Sequence, residues 1–153
     1  MAECKNIMVY VETAEGNPVK VGLEMLSPAK KLADKVTAVV IGGGVADAAK
    51  EVAKAGADQV ICVDSEDYKE FNLDAYTQVL VELVKEENPE AVFVGGTQDG
   101  KDIAPVVAAK CNTGCASDVL DIKAEDGEVI YTCPLYGGTV LEDVKIKTTP
   151  QIA

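Results

Sequence analysis

The chain has no histidine, and this absence removes several classes of chemistry. Histidine is the commonest general base and belongs to every Ser-His or Cys-His nucleophilic arrangement, so much of hydrolytic enzymology is excluded. The five cysteines are odd in number and scattered, which is a poor disulfide framework and typical of a reducing compartment. A structural zinc site would need about four ligands with paired close spacings, and the sequence does not supply them.

Basic residues and long apolar runs are also scarce. The 14 basic side chains are outnumbered by 26 acidic ones, giving a formal net charge of −12, and such a surface repels nucleic-acid phosphates and anionic lipid. No apolar run approaches the roughly 18 residues that span a bilayer, and the N-terminal residues have no basic and apolar signal sequence. We therefore expect a cytoplasmic protein that neither binds nucleic acid nor inserts into a membrane.

The chain does have the size and composition of one globular domain. Its 153 residues can bury a single core, and 48% hydrophobic with 26% charged residues are ordinary values for such a domain. Four short apolar runs, each followed by a helical pattern, are typical of buried parallel strands; they are residues 7–11, 36–41, 60–63 and 91–94. Alternating strands and helices predict a parallel sheet covered by helices on both faces.

After the fourth helix the pattern changes to alternating strands. Residues 119–123 and 129–132 flank Glu125-Asp126-Gly127, an Asp-Gly hairpin turn, and Tyr136-Gly137-Gly138 precedes another alternating run at 140–147. We expect these strands to be antiparallel additions at one end of the sheet.

The first helix has an ambiguous start. Its periodic pattern begins at Val21, yet Ser27-Pro28 has the form of an N-cap followed by proline at the first helical position. Either the helix starts twice or Pro28 bends it.

The best candidate for a ligand site is the junction between the fourth strand and the fourth helix. Thr97 to Gly100 are predicted to form a turn of small residues, with Asp102 available as a carboxylate at the helix start. In open α/β sheets such a junction lies at the carboxyl ends of the strands, where ligands usually bind. The candidate residues are Gly95, Gly96, Thr97, Asp99, Gly100 and Lys101. The alternative is that they only cap the helix and place Lys101 in a surface salt bridge.

Other motifs are less specific. Gly42-Gly43-Gly44 after the second strand could bring backbone N–H groups to a phosphate, or could be a plain tight turn, and it lacks the third glycine of a dinucleotide loop. No Walker A sequence occurs. Cys111 and Cys115 are one residue too far apart for a Cys-X-X-Cys redox motif, which favours small buried thiols.

Seven segments occur in an order and spacing that are specific in combination. They are Glu12, Leu23-Glu24-Met25-Leu26, Lys31-Leu32-Ala33, Gly56-Ala57-Asp58, Gly100-Lys101-Asp102-Ile103-Ala104-Pro105, Ser117-Asp118-Val119 and Pro134-Leu135-Tyr136-Gly137-Gly138. With these segments residues 1–153 closely resemble the N-terminal domain of the electron transfer flavoprotein alpha subunit. Lys101 stands where that family usually has arginine, so a role that needs the planar guanidinium fork is not carried over to this position.

The resemblance implies an adenine nucleotide alpha-hydrolase-like fold, with a parallel sheet in the order 3-2-1-4-5 and an antiparallel C-terminal extension. It implies pairing with a similarly folded beta subunit, which carries AMP or a second flavin. The redox FAD would sit mainly on a C-terminal domain of the alpha subunit that is absent here, and the strand-like ending Gln151-Ile152-Ala153 also predicts a chain cut from something longer. Residues 95–102 would then be the counterpart of a nucleotide loop, or the vestige of one.

Two functions follow from these expectations. In the first, the chain is a scaffold domain, without catalytic residues of its own, of an electron carrier between dehydrogenases and a quinone oxidoreductase or other acceptor. In the second, it is a free-standing adenine-nucleotide-binding domain in the manner of universal stress proteins. The glycine and Ser/Thr phosphate pattern of those proteins is missing, which favours the first function.

Overall fold

The computed structural model describes residues 4–153, and the described range forms an α/β fold. In chain order its elements are β1 (Cys4–Tyr10), β2 (Thr13–Ala14), β3 (Asn17–Pro18), α1 (Lys20–Leu32), β4 (Ala33–Gly42), α2 (Ala46–Lys54), β5 (Gln59–Asp64), α3 (Leu73–Glu87), β6 (Ala91–Val94), α4 (Gln98–Lys110), β7 (Asp121–Glu125), β8 (Glu128–Leu135), β9 (Val140–Val144) and β10 (Gln151–Ile152). Short 3-10 turns lie at Glu66–Tyr68 and Tyr136–Gly138.

The main sheet has five parallel strands in the order β5-β4-β1-β6-β10. Counting those five strands along the chain, this is the order 3-2-1-4-5, so the predicted topology is confirmed. The strand expected at the end of the sequence is also confirmed, because Gln151 and Ile152 pair in parallel with Ala91 and Val92 of β6. β2 and β3 form a separate two-residue antiparallel pair.

Helices cover both faces of this sheet, as the strand–helix alternation predicts. On one face Ile7 and Val9 of β1 belong to the hydrophobic cluster that α1 and α2 join, whereas Met8 and Tyr10 belong to the cluster of α3 and α4 on the other face. Successive side chains of a strand point to opposite faces, so a strand that is apolar throughout can fill both clusters.

The predicted position of the antiparallel extension is wrong. Strands β7, β8 and β9 form a three-stranded sheet of their own instead of extending one end of the parallel sheet. The reason is a packing contact: Tyr131 of β8 is fully buried, with its ring edge-on to Phe93 of β6 at a centroid distance of 6.4 Å. The Tyr131 hydroxyl donates a hydrogen bond to Gln151 Oε1 at 2.9 Å, so the small sheet packs on the core of the main one.

The start of α1 decides between the two predicted possibilities, and the start of α4 differs from the prediction. α1 is a single helix from Lys20 with Pro28 inside it, so it does not start twice. α4 begins at Gln98, so Thr97 to Gly100 are not a separate turn. Thr97 is the N-cap, and the carboxylate in the first turn is Asp99, not Asp102.

The described residues also bear on membrane-spanning helices and on disulfide bonds. None of their helices is long and apolar enough to cross a membrane. The five cysteines all fall within residues 4–153, and no disulfide joins any of them there.

Candidate functional site

The candidate loop lies where β6 ends and α4 begins, beside the carboxyl end of β1. The structure brings the candidate residues together but divides them between two cavities. A larger one, the large cleft, is lined by Gly95, Gly96, Thr97, Gly100 and Lys101. Asp99 instead lines a smaller one, the tyrosine cavity, together with Tyr10.

A hydrogen bond between Thr97 and Glu12 lies between the two cavities. The Thr97 hydroxyl donates to Glu12 Oε2 at 2.5 Å and accepts from the backbone N–H of Gly100 at 3.0 Å. Glu12 follows β1 and is 85 positions away from Thr97 in the sequence. The hydroxyl that could have bound a phosphate is therefore used on both sides, once as the helix cap and once to bind a carboxylate.

Two of the loop glycines are required by close packing. A Cβ at Gly100 would lie 1.9 Å from the carbonyl oxygen of Gly95, and a Cβ at Gly95 would lie 2.7 Å from Val21 Cγ1 of α1. A Cβ at Gly96 would meet nothing within 4 Å. The glycines at 95 and 100 thus allow the loop, α1 and α4 to approach one another.

The Lys101 ammonium is also engaged. It lies 2.7 Å from Asp118 Oδ1, and both side chains are more than half exposed. A capped helix start and a surface salt bridge through Lys101 are the contacts expected under the alternative interpretation of this loop.

The large cleft has a volume of about 810 Å³ and lies between α1, the start of α4, the carboxyl end of β6 and the 115–122 segment. Its walls are mainly apolar; they include Val21, Met25, Pro28, Phe93, Val94, Pro105, Val119, Leu120, Ile122 and Pro134. Its charged lining among the described residues is Glu24, Lys101, Asp118 and Asp121. One lysine already paired with a carboxylate, beside two further acids, does not fit the diphosphate of a dinucleotide.

The tyrosine cavity, of about 370 Å³, lies at the carboxyl ends of β1 and β4 and under the loop that follows β5. Its lining includes the aromatic residues Tyr10, Tyr68, Phe71 and Tyr76 and the acidic residues Glu12, Glu15, Glu70 and Asp99. Burial raises the pKa of the Tyr10 hydroxyl above its ordinary value, and Tyr76, Glu12 and Asp99 raise it further. A nucleotide phosphate does not fit here, because it would face carboxylates.

In the glycine run Gly42-Gly43-Gly44 a carboxylate likewise accepts a hydrogen bond that a phosphate could otherwise accept. The backbone N–H of Gly44 donates to Asp64 Oδ1 at 2.7 Å, and Gly44 has φ +71°, which favours glycine. These contacts are those of a tight turn between β4 and α2.

Cys111 and Cys115, which the sequence predicts to be small buried thiols, are only partly buried. α4 ends at Lys110, so Cys111 and Cys115 do not share a helical turn. Burial raises the pKa of both thiols, which disfavours the reactive thiolate. Among the described residues, no group of three or more Cys, Asp or Glu side chains could hold a metal ion.

Comparison of the sequence with known proteins shows the family of this chain. Residues 7–153 match the model described as the electron transfer flavoprotein domain. The chain belongs to the electron transfer flavoprotein family. The resemblance inferred from the seven segments is thereby confirmed, and the family is associated with flavin.

Three curated relatives show the extent of the similarity. An electron transfer flavoprotein subunit alpha of Syntrophomonas wolfei is 38% identical over 142 residues, covering 93% of this chain and 45% of that protein. Protein FixB of Clostridium saccharobutylicum is 36% identical, covering 100% of this chain and 48% of that protein. An acryloyl-CoA reductase electron transfer subunit beta of Anaerotignum propionicum is 37% identical, covering 92% and 46%. The chain therefore spans about half the length of these relatives.

Sequence reasoning did not assign Glu12, Tyr10 or Tyr76 to a site, although all three line the tyrosine cavity. Glu12 was visible only as the residue after the first strand, and neither Tyr10 nor Tyr76 stood out from other buried aromatic residues. A carboxylate directly beyond a buried parallel strand is the signal that could have indicated Glu12, because strand ends on one edge of a sheet meet in space.

Proposed function

We propose that this chain is the scaffold part of an electron transfer flavoprotein alpha subunit, and that it pairs with a beta subunit in a flavin-based carrier between dehydrogenases and an acceptor. The observation that carries the proposal is the family match over residues 7–153. The names of the relatives add support, since one is an electron transfer flavoprotein alpha subunit and another is an electron transfer subunit of acryloyl-CoA reductase.

In this proposal the domain supplies a surface rather than a reaction. FAD is held in the complete heterodimer outside this domain, and AMP or a second FAD is held by the beta subunit. Flavin supplies the electron-transfer chemistry when it is bound. This domain is the scaffold against which the flavin-binding parts of the heterodimer pack. No catalytic residue is assigned to the domain.

Residues 95–102 are, in our proposal, a nucleotide loop that no longer takes a ligand. Three contacts support this: Thr97 is bonded to Glu12, Lys101 is paired with Asp118, and Gly100 packs against Gly95. Each contact uses a group that a phosphate-binding loop would need free or open. The free-standing nucleotide-binding function is not favoured, because no observation on these residues supports it.

The cellular location is also a proposal. A cytoplasmic site of action is supported by the five cysteines, none of which is joined by a disulfide among residues 4–153.

A titration with two nucleotides and a mixing experiment test the proposal. Calorimetry of the 153-residue chain with FAD and, separately, with AMP should give no stoichiometric binding, and the purified chain should be colourless. Mixed with a beta subunit of the family, the chain should co-elute in size-exclusion chromatography at equal stoichiometry.

Two results would count against this function. Stoichiometric AMP binding that disappears in Thr97→Val would restore the loop as a working site and move the free-standing function ahead. Failure to form any complex with a beta subunit that binds a full-length alpha subunit would remove the scaffold function from this domain.

A further inference from the structure

We propose that the tyrosine cavity binds an organic cation, a guanidinium or ammonium group on a short aliphatic stem. This inference goes beyond the proposed function and does not depend on it, because it concerns a ligand that binds the isolated chain.

The first argument is an unsatisfied hydroxyl. Tyr10 is 2% exposed, and its hydroxyl has no hydrogen-bond partner within the part of the chain that the structure describes. No fully enclosed side-chain oxygen or nitrogen in that part lacks a partner, so the Tyr10 oxygen must be reached through the cavity that Tyr10 lines. This oxygen faces the cavity without a protein partner, so it can accept a hydrogen bond from a donor that enters the cavity and displaces water.

The second argument is charge. Four carboxylates line the cavity, and those of Glu15, Glu70 and Asp99 have no ion pair or hydrogen bond with any other described residue. The lysine in the lining, Lys69, has its ammonium paired with Glu66 Oε2 at 3.6 Å. The cavity thus has an excess of unpaired negative charge, which a cation would neutralise and an anion would not.

The third argument is the aromatic wall. Tyr76 contacts Tyr68 and Phe71 edge-on, at ring-centroid distances of 5.9 and 5.1 Å, and the Tyr76 hydroxyl donates to the Tyr68 carbonyl oxygen at 2.6 Å. This hydrogen bond holds the Tyr76 ring in place beside Tyr10. Aromatic faces attract ammonium and guanidinium groups, and the same rings pack against an aliphatic stem.

A metal ion suits the cavity less well than an organic cation. Metal ions need several oxygen ligands converging within about 2.0–2.6 Å, and the described carboxylates form no such cluster. A volume of about 370 Å³ instead leaves room for a head group and a stem of several carbon atoms.

The probe is butylguanidinium, and its matched neutral ligand is butylurea, which has the same shape without the charge. Calorimetry at low salt should show saturable binding of butylguanidinium to the 153-residue chain and none of butylurea or AMP. The chain has no tryptophan, and three of its five tyrosines line the cavity, so tyrosine fluorescence gives a second readout.

Two substitutions locate the binding. Tyr10→Phe removes only the hydroxyl, which has no partner to lose, so the fold should be kept while affinity falls about fivefold to tenfold. Asp99→Asn should weaken binding by about tenfold or more, because it removes a charged acceptor. Asp102→Asn is the matched control, since Asp102 is an exposed carboxylate on the same helix that does not line the cavity, and it should leave affinity unchanged.

A second pair of ligands distinguishes the source of the cation. Agmatine represents a free amine, whereas N-acetylarginine N-methylamide represents an arginine side chain presented by a protein. Tighter binding of agmatine assigns the cavity to a small metabolite-like amine, and tighter binding of the arginine derivative assigns it to a basic side chain of a partner. Either outcome supports a cation site.

The proposal is overturned by any of three results. These are no saturable binding of any cation at millimolar concentration, equal binding of butylurea and butylguanidinium, or cation binding that neither Tyr10→Phe nor Asp99→Asn reduces. None of the three bears on pairing with a beta subunit, so the two proposals fail separately.

Discussion

The chain turns from strand to helix through two glycine-rich loops, and a carboxylate closes each of them differently. At Gly42-Gly43-Gly44 the backbone N–H of Gly44 donates directly to Asp64, which ends the neighbouring strand β5. At residues 95–100 the bond to Glu12, just beyond the neighbouring strand β1, passes through the Thr97 hydroxyl. In both loops an acid at or just beyond the end of the adjacent strand accepts from a donor that could otherwise bind an anion.

The loops also differ in how much space surrounds their glycines. A Cβ added at Gly44 would meet nothing within 4 Å, so glycine is favoured there by its positive φ and not by crowding. A Cβ added at Gly100 would instead lie 1.9 Å from a backbone oxygen. A glycine run after a strand therefore does not by itself indicate a phosphate site. The position of the nearest acid and the crowding around each glycine decide what the run does.

The largest effect is expected from Gly100→Ala. The added Cβ would collide with the Gly95 carbonyl oxygen, which is backbone and cannot move aside without moving the loop. We expect a loss of about 3 kcal/mol or more in the free energy of unfolding, measured by denaturant titration. Gly96→Ala is the control and should change stability by less than about 0.5 kcal/mol, since the added Cβ would meet no other atom within 4 Å. Equal effects of the two substitutions would mean that crowding at 100 is not what distinguishes this loop.

Thr97→Val should have the next largest effect. It removes the N-cap oxygen of α4 and the hydrogen bond to Glu12 together, and we expect a loss of about 1–2 kcal/mol in the free energy of unfolding. Thr97→Ser keeps the hydroxyl and should recover most of that loss. If the valine variant were as stable as the serine variant, the bond to Glu12 would not stabilise the loop.

Asp64→Ala should cost less, because the Gly44 amide is exposed and water can replace the carboxylate. We expect a loss of about 0.5–1 kcal/mol by chemical denaturation. Asp34→Ala, at an exposed acid in the neighbouring strand β4, serves as the control for removing one negative charge. A loss as large as that of Thr97→Val would show that the Asp64–Gly44 and Glu12–Thr97 contacts stabilise their loops equally.

The smallest effect concerns a third carboxylate, which lies directly before β5 and binds a backbone amide of β4. Asp58 accepts from the Lys30 ammonium at 2.6 Å and from the Val36 N–H at 2.7 Å. The Lys30 contact and then the Val36 hydrogen bond hold the pKa of Asp58 below its ordinary value. Its contribution to stability is therefore present above about pH 4 and is lost as the pH falls through the lowered pKa of the folded state.

Asp58→Asn tests this sign. The variant should lose part of the acid dependence of stability below about pH 4, and at neutral pH it should lose less than about 1 kcal/mol because the pair is partly exposed. Thermal unfolding followed between acid and neutral pH measures both. An unchanged acid limb would show that Asp58 does not contribute to it.

Much of the fold could be predicted because it is local. The buried strands appear as short apolar runs, and Gly56 and Asn88 end α2 and α3 in left-handed or positive-φ conformations that their residue types favour. The strand order is not written in local patterns, and it followed from the resemblance to the family instead. The predicted start of α4 was wrong because glycine at position 100 is typical of a turn. In the structure Gly100 lies inside the helix, where its amide donates to Thr97 and its lack of a Cβ allows close packing.

What could not be predicted depends on contacts between distant parts of the chain. The Glu12–Thr97 bond joins residues 85 positions apart, and the contact of Tyr131 with Phe93 decides where the small sheet packs. The candidate site therefore emerged as a group of residues without its acidic partners. Those partners set the charge of both cavities.

The short strand β10 has a consequence for how the chain is made. Ala153 exchanges backbone hydrogen bonds with Val92 and Val94 of β6, and the carbonyl of Ile152 accepts from the Ala116 N–H, so residues 151–153 join two segments made much earlier. On the ribosome β6, whose four residues are all buried in the folded state, keeps an unpaired edge until the chain has grown beyond Ile152. A nascent chain stalled before that point would carry an exposed apolar strand edge, which is a template for pairing with another chain.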